Sequence, residues 1–171
     1  SREKFDESQV GVPLKEHKNS GFELISGKAQ FSGKILGGCI DSIYDMFDSE
    51  RYEDMPALCK KYGWFPSLDD WKDKILLLES SEELMPPEKY AKALDYLKST
   101  GMFGVISGII AGKPMNGKYH DEYKRLLAEK TAEYELPVLC NINIGHALPR
   151  CIIPFGVTAE VDAEKQTITF A

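Results

Sequence analysis

The sequence has few cysteines for its length, and none lie close together. They occur without a C-x-x-C motif, at Cys39, Cys59, Cys140 and Cys151. This spacing does not produce a dense disulfide framework, so we interpret the four as buried, reduced thiols of a cytoplasmic protein. A metal site would have to use Cys140, His146 and Cys151, which lack the close ligand pairs of structural zinc sites. We therefore expect neither a metal nor a cofactor.

Basic blocks and long apolar runs are also missing. The 21 Lys and Arg against 27 Asp and Glu give a formal net charge of −6. Without a basic helical face, we expect no binding of nucleic acid. No stretch approaches the roughly 20 apolar residues of a membrane-spanning helix, so we expect no membrane partner. No signal peptide is visible, although a start at Ser1 is typical of a trimmed or engineered chain that could have carried one.

The remaining composition is that of an ordinary globular protein, with 43% apolar and 28% charged residues. A length of 171 residues is enough for one domain with a substantial core. Residues 1–20 are polar and show little periodicity, so we interpret them as an interdomain linker or polar N-terminal segment. The domain is then placed at residues 21–171, and the linker-like start favours a chain cut from a longer protein.

Apolar periodicity predicts alternating strands and helices. Strands are expected at 22–25, 29–36, 75–78, 102–111 and 136–144, helices at 40–47, 54–62, 88–99 and 121–133, and an antiparallel hairpin at 157–170. This alternation predicts an α/β fold, with a mainly parallel sheet covered by helices and antiparallel additions at the ends of the sheet.

Two of the predicted strands end in residues suited to acid–base chemistry. The apolar run Leu136–Ile144 is followed by Gly145-His146, and the run Lys74–Leu78 ends in Glu79. Ligands of α/β proteins usually bind at the carboxyl ends of the strands. A carboxylate on one ring nitrogen would fix the tautomer of the imidazole and stabilise its cation. From the residues alone, a turn-capping glutamate and a hydrogen-bonded core histidine remain the simpler interpretations.

An activated nucleophile is not visible. The sequence has no G-x-S-x-G turn, Ser107 falls inside a predicted strand, and Ser80 and Ser81 fall in a flexible acidic turn. The best internal candidate is Cys39, because it follows Gly37-Gly38 at a predicted helix N-terminus, where the thiol pKa would fall. A structural role for this thiol is nevertheless favoured.

Other features allow two interpretations each. The Gly37-Gly38 turn before a helix could bind an anion, or could simply be a tight turn. The aromatic segment, from Tyr52 to Trp71, could stack on a base or a sugar, but its rings more often cover the edge of a core. His17 and His120 lie in polar stretches and are expected to be solvated.

Four motifs together resemble the LD-carboxypeptidase family over about residues 20–171. In chain order they are Gly33-Lys-Ile-Leu-Gly-Gly38, Lys74-Ile-Leu-Leu-Leu-Glu79, Gly108-Ile-Ile-Ala-Gly112, and Asn143-Ile-Gly-His146 through Pro154-Phe-Gly156. The long segment rich in aromatic residues between Gly38 and Trp71, together with Gly112-Lys113-Pro114, resembles the microcin C immunity branch of that family.

This resemblance implies a two-domain serine hydrolase, of which the chain is the C-terminal, swivelling β/β/α-type domain. Glu79 and His146 match the triad glutamate and histidine, while the nucleophilic serine would lie in an N-terminal domain absent here. Gly37 and Gly38 match a substrate-contacting Gly-Gly-Asn turn, in which Cys39 replaces the asparagine. The family is often dimeric, which implies a possible homodimer.

The implied reaction is cleavage of an amide between a peptide or aminoacyl group and a modified adenylate, by a bacterial, cytoplasmic enzyme. The alternative within the family is an LD-carboxypeptidase acting on muropeptides in cell-wall recycling. An alternative of another class is a nucleotide- or peptide-binding module without catalysis. The isolated chain is expected to be inactive because the serine is missing.

Overall fold

The computed structural model describes residues 10–13 and 18–171. The strands are β1 (Glu23–Ser26), β2 (Gln30–Cys39), β3 (Lys74–Glu79), β4 (Gly108–Gly112), β5 (Val138–Ile142), β6 (Thr158–Asp162) and β7 (Thr167–Phe170). The α-helices are α1 (Ile40–Asp45), α2 (Met55–Tyr62), α3 (Leu68–Trp71), α4 (Pro87–Ser99) and α5 (His120–Thr131). Most of the predicted linker at 1–20, with His17, lies outside the described residues.

The seven strands form one sheet in the order β1-β5-β4-β3-β2-β6-β7. The four central strands are parallel, and β1, β6 and β7 add antiparallel at the two edges. The expected α/β fold with antiparallel additions and a C-terminal hairpin is therefore confirmed. Because β2, β3, β4 and β5 run the same way, their carboxyl ends meet at one edge of the sheet.

The helices pack on one face of this sheet. Their buried side chains, such as Tyr44, Leu94 and Leu127, share a core with one face of the central strands. The opposite face has a second core made of strand and loop residues, including Leu77 and Ile110, without a helical contribution among the described residues. Each fully buried leucine or isoleucine contributes about 1.5–3 kcal/mol, so both cores hold the central strands and the ends that they present.

Three local signals are confirmed. Helix α4 begins at Pro87, where a missing N–H costs nothing. It is followed by Gly101 in the left-handed region (φ +81°), as expected of a helix C-terminal glycine. The hairpin pairs Val161 with Ile168.

Among the described residues, no helix combines the length and the apolar character needed to cross a membrane.

Two predicted boundaries are wrong. Gly37-Gly38 does not form a turn, because β2 continues through both glycines to Cys39. The apolar run Met102–Ala111 is not a single strand: Met102–Gly104 is a 3₁₀ turn, and β4 begins only at Gly108. The turn is apolar because Met102 is buried against the helices. A short buried turn and a short buried strand therefore have the same apolar sequence pattern. Ser107 consequently precedes the strand instead of lying inside it.

Candidate active site

Glu79 and His146 form a hydrogen-bonded pair at the carboxyl edge of the sheet. Glu79 is the last residue of β3, and His146 lies in the loop that follows β5. Nδ1 of His146 is 2.8 Å from Oε2 of Glu79. The glutamate side chain is 11% exposed and the imidazole 36%. Because an ionised carboxylate only accepts hydrogen bonds, this contact places a proton on Nδ1 and directs Nε2 away from Glu79.

The loop that carries His146 fits closely around the glutamate. Gly145 has φ +75°, and a Cβ on it would lie 2.6 Å from Cβ of Glu79. A Cβ on Gly112 would lie 2.8 Å from Cγ1 of Ile144, which directly precedes Gly145. Arg150 closes the loop by donating from Nη1 to the carbonyl of Gly145 at 3.2 Å. The two glycines therefore permit the approach that brings imidazole and carboxylate together.

A second carboxylate lies on the other side of the imidazole. Nε2 of His146 is 2.9 Å from Oε2 of Glu82, whose side chain is 63% exposed. Sequence reasoning missed Glu82, although its position in the turn directly after Glu79 was the available signal. The imidazole thus lies between the carboxylate of Glu79, at the end of β3, and that of Glu82, in the turn that follows β3.

The turn after β3 is more ordered than its acidic sequence indicates. Ser80 and Ser81 are buried, not part of a flexible exposed turn. The amide of Ser81 donates to Oδ2 of the buried Asp41 at 3.0 Å, and its Oγ accepts from the amide of Glu83 at 3.1 Å. Asp41 lies in the first turn of α1. It therefore connects the Glu79–Glu82 segment to the end of β2.

Cys39 is not an activated thiol. It ends β2 as the register partner of Glu79, and its thiol lies 3.6 Å from Oδ2 of Asp41. Burial, together with the nearby negative charges of Glu79 and Asp41, raises the pKa of the Cys39 thiol to about 11. The expectation of a lowered pKa is therefore wrong, because burial and these carboxylates outweigh the start of the six-residue α1.

The two glycines before Cys39 have different surroundings. Gly37 has φ +131°, and a Cβ there would lie 2.9 Å from the amide nitrogen of Leu77 in β3. Gly38 has φ +146°, and a Cβ there would meet no atom within 4 Å. Gly37 thus lets β2 and β3 approach, whereas Gly38 presents bare backbone to open space beside the carboxyl end of β3. Contact of Gly37, Gly38 and Cys39 with a substrate stays a prediction.

The aromatic segment divides into two groups. Phe65 packs edge-on against Phe47 with ring centroids 4.9 Å apart, and Trp71 is buried in the helix-side core. Tyr62 and Trp64, in contrast, are both exposed and stack on each other at 5.8 Å. The core-covering interpretation holds for the first group, and the second remains available for contact with another molecule.

The alternative metal set is not assembled. Sγ of Cys140 lies 3.5 Å from the carbonyl oxygen of Glu23 in β1, the strand that pairs with β5. Cys151 is exposed. In the described part of the chain, no group of three or more His, Cys, Asp or Glu side chains is arranged to hold a metal.

The exposed Cys151 and half-buried Cys39 also correct the expectation of four buried thiols. His120, expected to be solvated, is partly covered and lies 3.5 Å from Glu23.

Comparison with known proteins gives consistent matches. A family model described as the LD-carboxypeptidase C-terminal domain matches residues 32–161. An MccF-like protein from Streptococcus pneumoniae, crystallised with AMP, is 51% identical with a TM-score of 0.94, over 100% of this chain and 50% of that chain. The microcin C7 self-immunity protein MccF of Escherichia coli is 24% identical over 96% of this chain and 43% of its own length.

A solved structure of MccF with aspartyl sulfamoyl adenosine is 24% identical, with a TM-score of 0.68 over 93% of this chain and 43% of that chain. The chain thus spans half or less of the length of these relatives. The family model nevertheless covers most of the sequence, including Gly37, Gly38 and the Glu79–His146 pair. The chain belongs to the LD-carboxypeptidase C-terminal domain family.

Proposed function

We propose that this chain is the C-terminal domain of a microcin C immunity-like serine hydrolase, to which it contributes the glutamate and histidine of a Ser-Glu-His triad. The observation that carries the proposal is the 2.8 Å contact between Nδ1 of His146 and Oε2 of Glu79. It is the arrangement that an imidazole needs to accept a hydroxyl proton through its other nitrogen.

In the proposed reaction, a serine hydroxyl from the N-terminal domain of the longer protein approaches Nε2 of His146. The imidazole takes the hydroxyl proton as the serine oxygen attacks the amide carbonyl, and later gives that proton to the leaving amine. Glu79 stays ionised, holds the ring through Nδ1 and stabilises the imidazolium. The donors that stabilise the oxyanion would come from the N-terminal domain.

The proposed substrate is an amide between a peptide or aminoacyl group and a modified adenylate. The AMP complex of the pneumococcal relative, 51% identical over this whole chain, supports a nucleotide-bearing substrate. The half-buried backbone of Gly38, with Gly37 and Cys39, is the proposed substrate-contacting strand end. The proposed setting is the bacterial cytoplasm, and the proposed assembly is a homodimer.

Two alternatives make different predictions. The family description favours an LD-carboxypeptidase acting on muropeptides in cell-wall recycling. A non-catalytic nucleotide- or peptide-binding module is favoured only by the exposed Tyr62–Trp64 stack. Titration calorimetry of this chain with AMP addresses the module, because binding without the N-terminal domain would require a complete site in this half.

The deciding experiment measures hydrolysis by the longer protein and by this chain alone, with aspartyl sulfamoyl adenosine and a muropeptide tetrapeptide as substrates. We expect the longer protein to cleave the adenylate, His146→Gln to lower the cleavage rate by about 10³–10⁴-fold, and this chain alone to be inactive. Cleavage of the muropeptide only would establish the alternative substrate. Hydrolysis by the isolated chain would contradict the assignment of the serine to another domain.

A further inference from the structure

The contact between His146 and Glu82 has no place in the triad described above. Nε2 is the nitrogen that must meet the serine hydroxyl, yet it lies 2.9 Å from Oε2 of Glu82. Within the described residues, the Glu82 carboxylate has no other hydrogen-bonding or ionic partner. It is also 63% exposed, so its position is not imposed by packing.

Both ring nitrogens therefore face carboxylate oxygens, at 2.8 Å for Nδ1 and 2.9 Å for Nε2. Ionised carboxylates accept hydrogen bonds and do not donate them. A neutral imidazole carries one proton and can satisfy only one of them. The Nδ1 contact is a hydrogen bond and the Nε2 contact is an ion-pair contact. Both are attractive when the ring carries two protons, and a doubly protonated imidazole cannot act as a base.

The other charged groups near the imidazole do not oppose this arrangement. Arg150 is the nearby cation, and its guanidinium donates to the carbonyl of Gly145 instead of to either carboxylate. From β2, the neutral thiol of Cys39 is the register partner of Glu79. From α1, the carboxylate of Asp41 is directed at Cys39 and the amide of Ser81.

We propose that Glu82 is a positioning residue that occupies the place of the nucleophile on Nε2 of His146 and withdraws when the serine hydroxyl arrives. The proposal rests on the proposed function for the reactive role of Nε2. While Glu82 is in place, the ring is held from both sides and Nε2 is not free for the serine hydroxyl. For the ring to become a base, the proton on Nε2 passes to the Glu82 carboxylate or to water, and the exposed side chain moves aside.

The structure also explains how Glu82 could withdraw without disturbing Glu79. The turn between them is fixed by the bond from the Ser81 amide to Asp41. Motion of Glu82 is therefore confined to its own side chain, and the Nδ1 contact is preserved as Nε2 changes partner. The end of β3 and the turn after it thus supply both the permanent contact at Nδ1, from Glu79, and the exchangeable contact at Nε2, from Glu82.

The first test uses this chain alone, with ¹⁵N-labelled histidine, and Glu82→Gln against Glu83→Gln as matched control. The ¹⁵N chemical shifts of the ring nitrogens distinguish the doubly protonated imidazole from each neutral tautomer, and His146→Gln identifies the signals. At one fixed pH we expect the ratio of doubly protonated to neutral ring to be about threefold to tenfold lower in Glu82→Gln than in the wild type, with the proton of the neutral ring on Nδ1. Glu83→Gln should resemble the wild type.

An unchanged ratio of doubly protonated to neutral ring in Glu82→Gln would overturn the proposal, provided that the backbone amide spectrum of the variant shows a folded chain. Should Glu82→Gln perturb the fold, Glu82→Ala, which removes the contact without placing an amide there, replaces it.

The second test is the pH dependence of kcat/KM in the longer protein. Removing the carboxylate disfavours the protonated ring, so the acid limb of Glu82→Gln should move to lower pH by about half a unit to one unit. A loss of turnover that is equal at every pH would indicate a merely structural role and contradict the proposal. Because the NMR test needs no serine, a failure of the proposed hydrolase would leave its result intact, and the two failures are distinguishable.

Discussion

Glu79 lies against the backbone of Gly145, so the residue before the candidate base makes room for the carboxylate that orients it. A Cβ on Gly145 would lie 2.6 Å from Cβ of Glu79 and closer still to its carboxylate. Gly145 also has φ +75°, in the region that favours glycine. The position is thus restricted both by conformation and by the space that Glu79 occupies.

Gly145→Ala should therefore break the Glu79–His146 contact. We expect turnover of the longer protein to fall at least tenfold, and the free energy of unfolding to fall by about 1–3 kcal/mol. Gly156→Ala is the matched control, because Gly156 has φ +73° but a Cβ added to it would meet no atom within 4 Å. It should lose a similar free energy and keep its turnover. Equal turnover in the two variants would show that the close approach to Glu79 is unimportant.

The two members of the pair should act as a unit in the longer protein. Glu79→Gln keeps the shape of the side chain but removes the charge that stabilises the imidazolium. We expect Glu79→Gln and His146→Gln each to lower kcat by about 10³–10⁴-fold, and the double variant to be little worse than either. His120→Gln, which alters a histidine paired with Glu23, should change kcat by less than about twofold. Losses that multiply in the double variant would argue against a shared role.

The four thiols should differ in reactivity. Burial raises the pKa of Cys39 to about 11 and that of Cys140 to about 12, and burial also raises the pKa of Cys59. Only the thiolate is alkylated quickly, so iodoacetamide at pH 8 should modify the exposed Cys151 first. Mass spectrometry of the folded chain should find one modification, and of the chain in urea four. Rapid modification of Cys39 would contradict its buried, uncharged state.

Asp48 lies just after the end of α1, and its ionised carboxylate holds this segment to α4. Hydrogen bonds from Lys92 and Tyr96, both at 2.8 Å, hold the pKa of Asp48 well below its ordinary value. A lowered folded-state pKa adds stability above the unfolded pKa, and that stability is lost progressively as the pH falls from about 4 through the folded-state pKa. Asp48→Asn should therefore cost about 1 kcal/mol at pH 7 and less at pH 3.

Urea unfolding of Asp48→Asn and wild type at both pH values measures this difference. Glu164→Gln, which removes an exposed carboxylate in the β6–β7 turn, is the control and should cost nothing at either pH. A deficit in Asp48→Asn that is equal at pH 7 and pH 3 would show that the charge of Asp48 does not contribute.

The acid–base pair could be located from the sequence, but the turn beside it could not. Glu79 and His146 could be found because both follow apolar runs, and parallel strands bring such ends to one edge. Glu82 was missed because its importance depends on the path of a turn that no periodicity describes. The burial of Ser80 and Ser81 was missed for the same reason, since the hydrogen bond from the Ser81 amide to Asp41 that orders this turn joins residues 40 positions apart.

The errors at Gly37-Gly38 and Met102–Ala111 have physical causes too. A glycine pair usually interrupts a strand, but here β2 continues through both glycines, and Gly37 lets it run close beside β3. Local propensity does not describe such a tertiary contact. The run after Gly101 is apolar because Met102 and Phe103 fill the helix-side core. Burial alone does not distinguish a turn from a strand when both are short.

Asp41 connects two parts of the candidate site. One carboxylate oxygen holds both the thiol of Cys39 and the amide of Ser81, so the residue at position 39 and the turn after Glu79 share an anchor. Any side chain at position 39 that can donate a hydrogen bond, an asparagine amide for instance, would keep that anchor satisfied. The proposed substrate-contacting strand end can therefore diverge by single substitutions at position 39 while Glu79 and His146 keep their geometry, so substrate recognition could evolve separately from the acid–base chemistry.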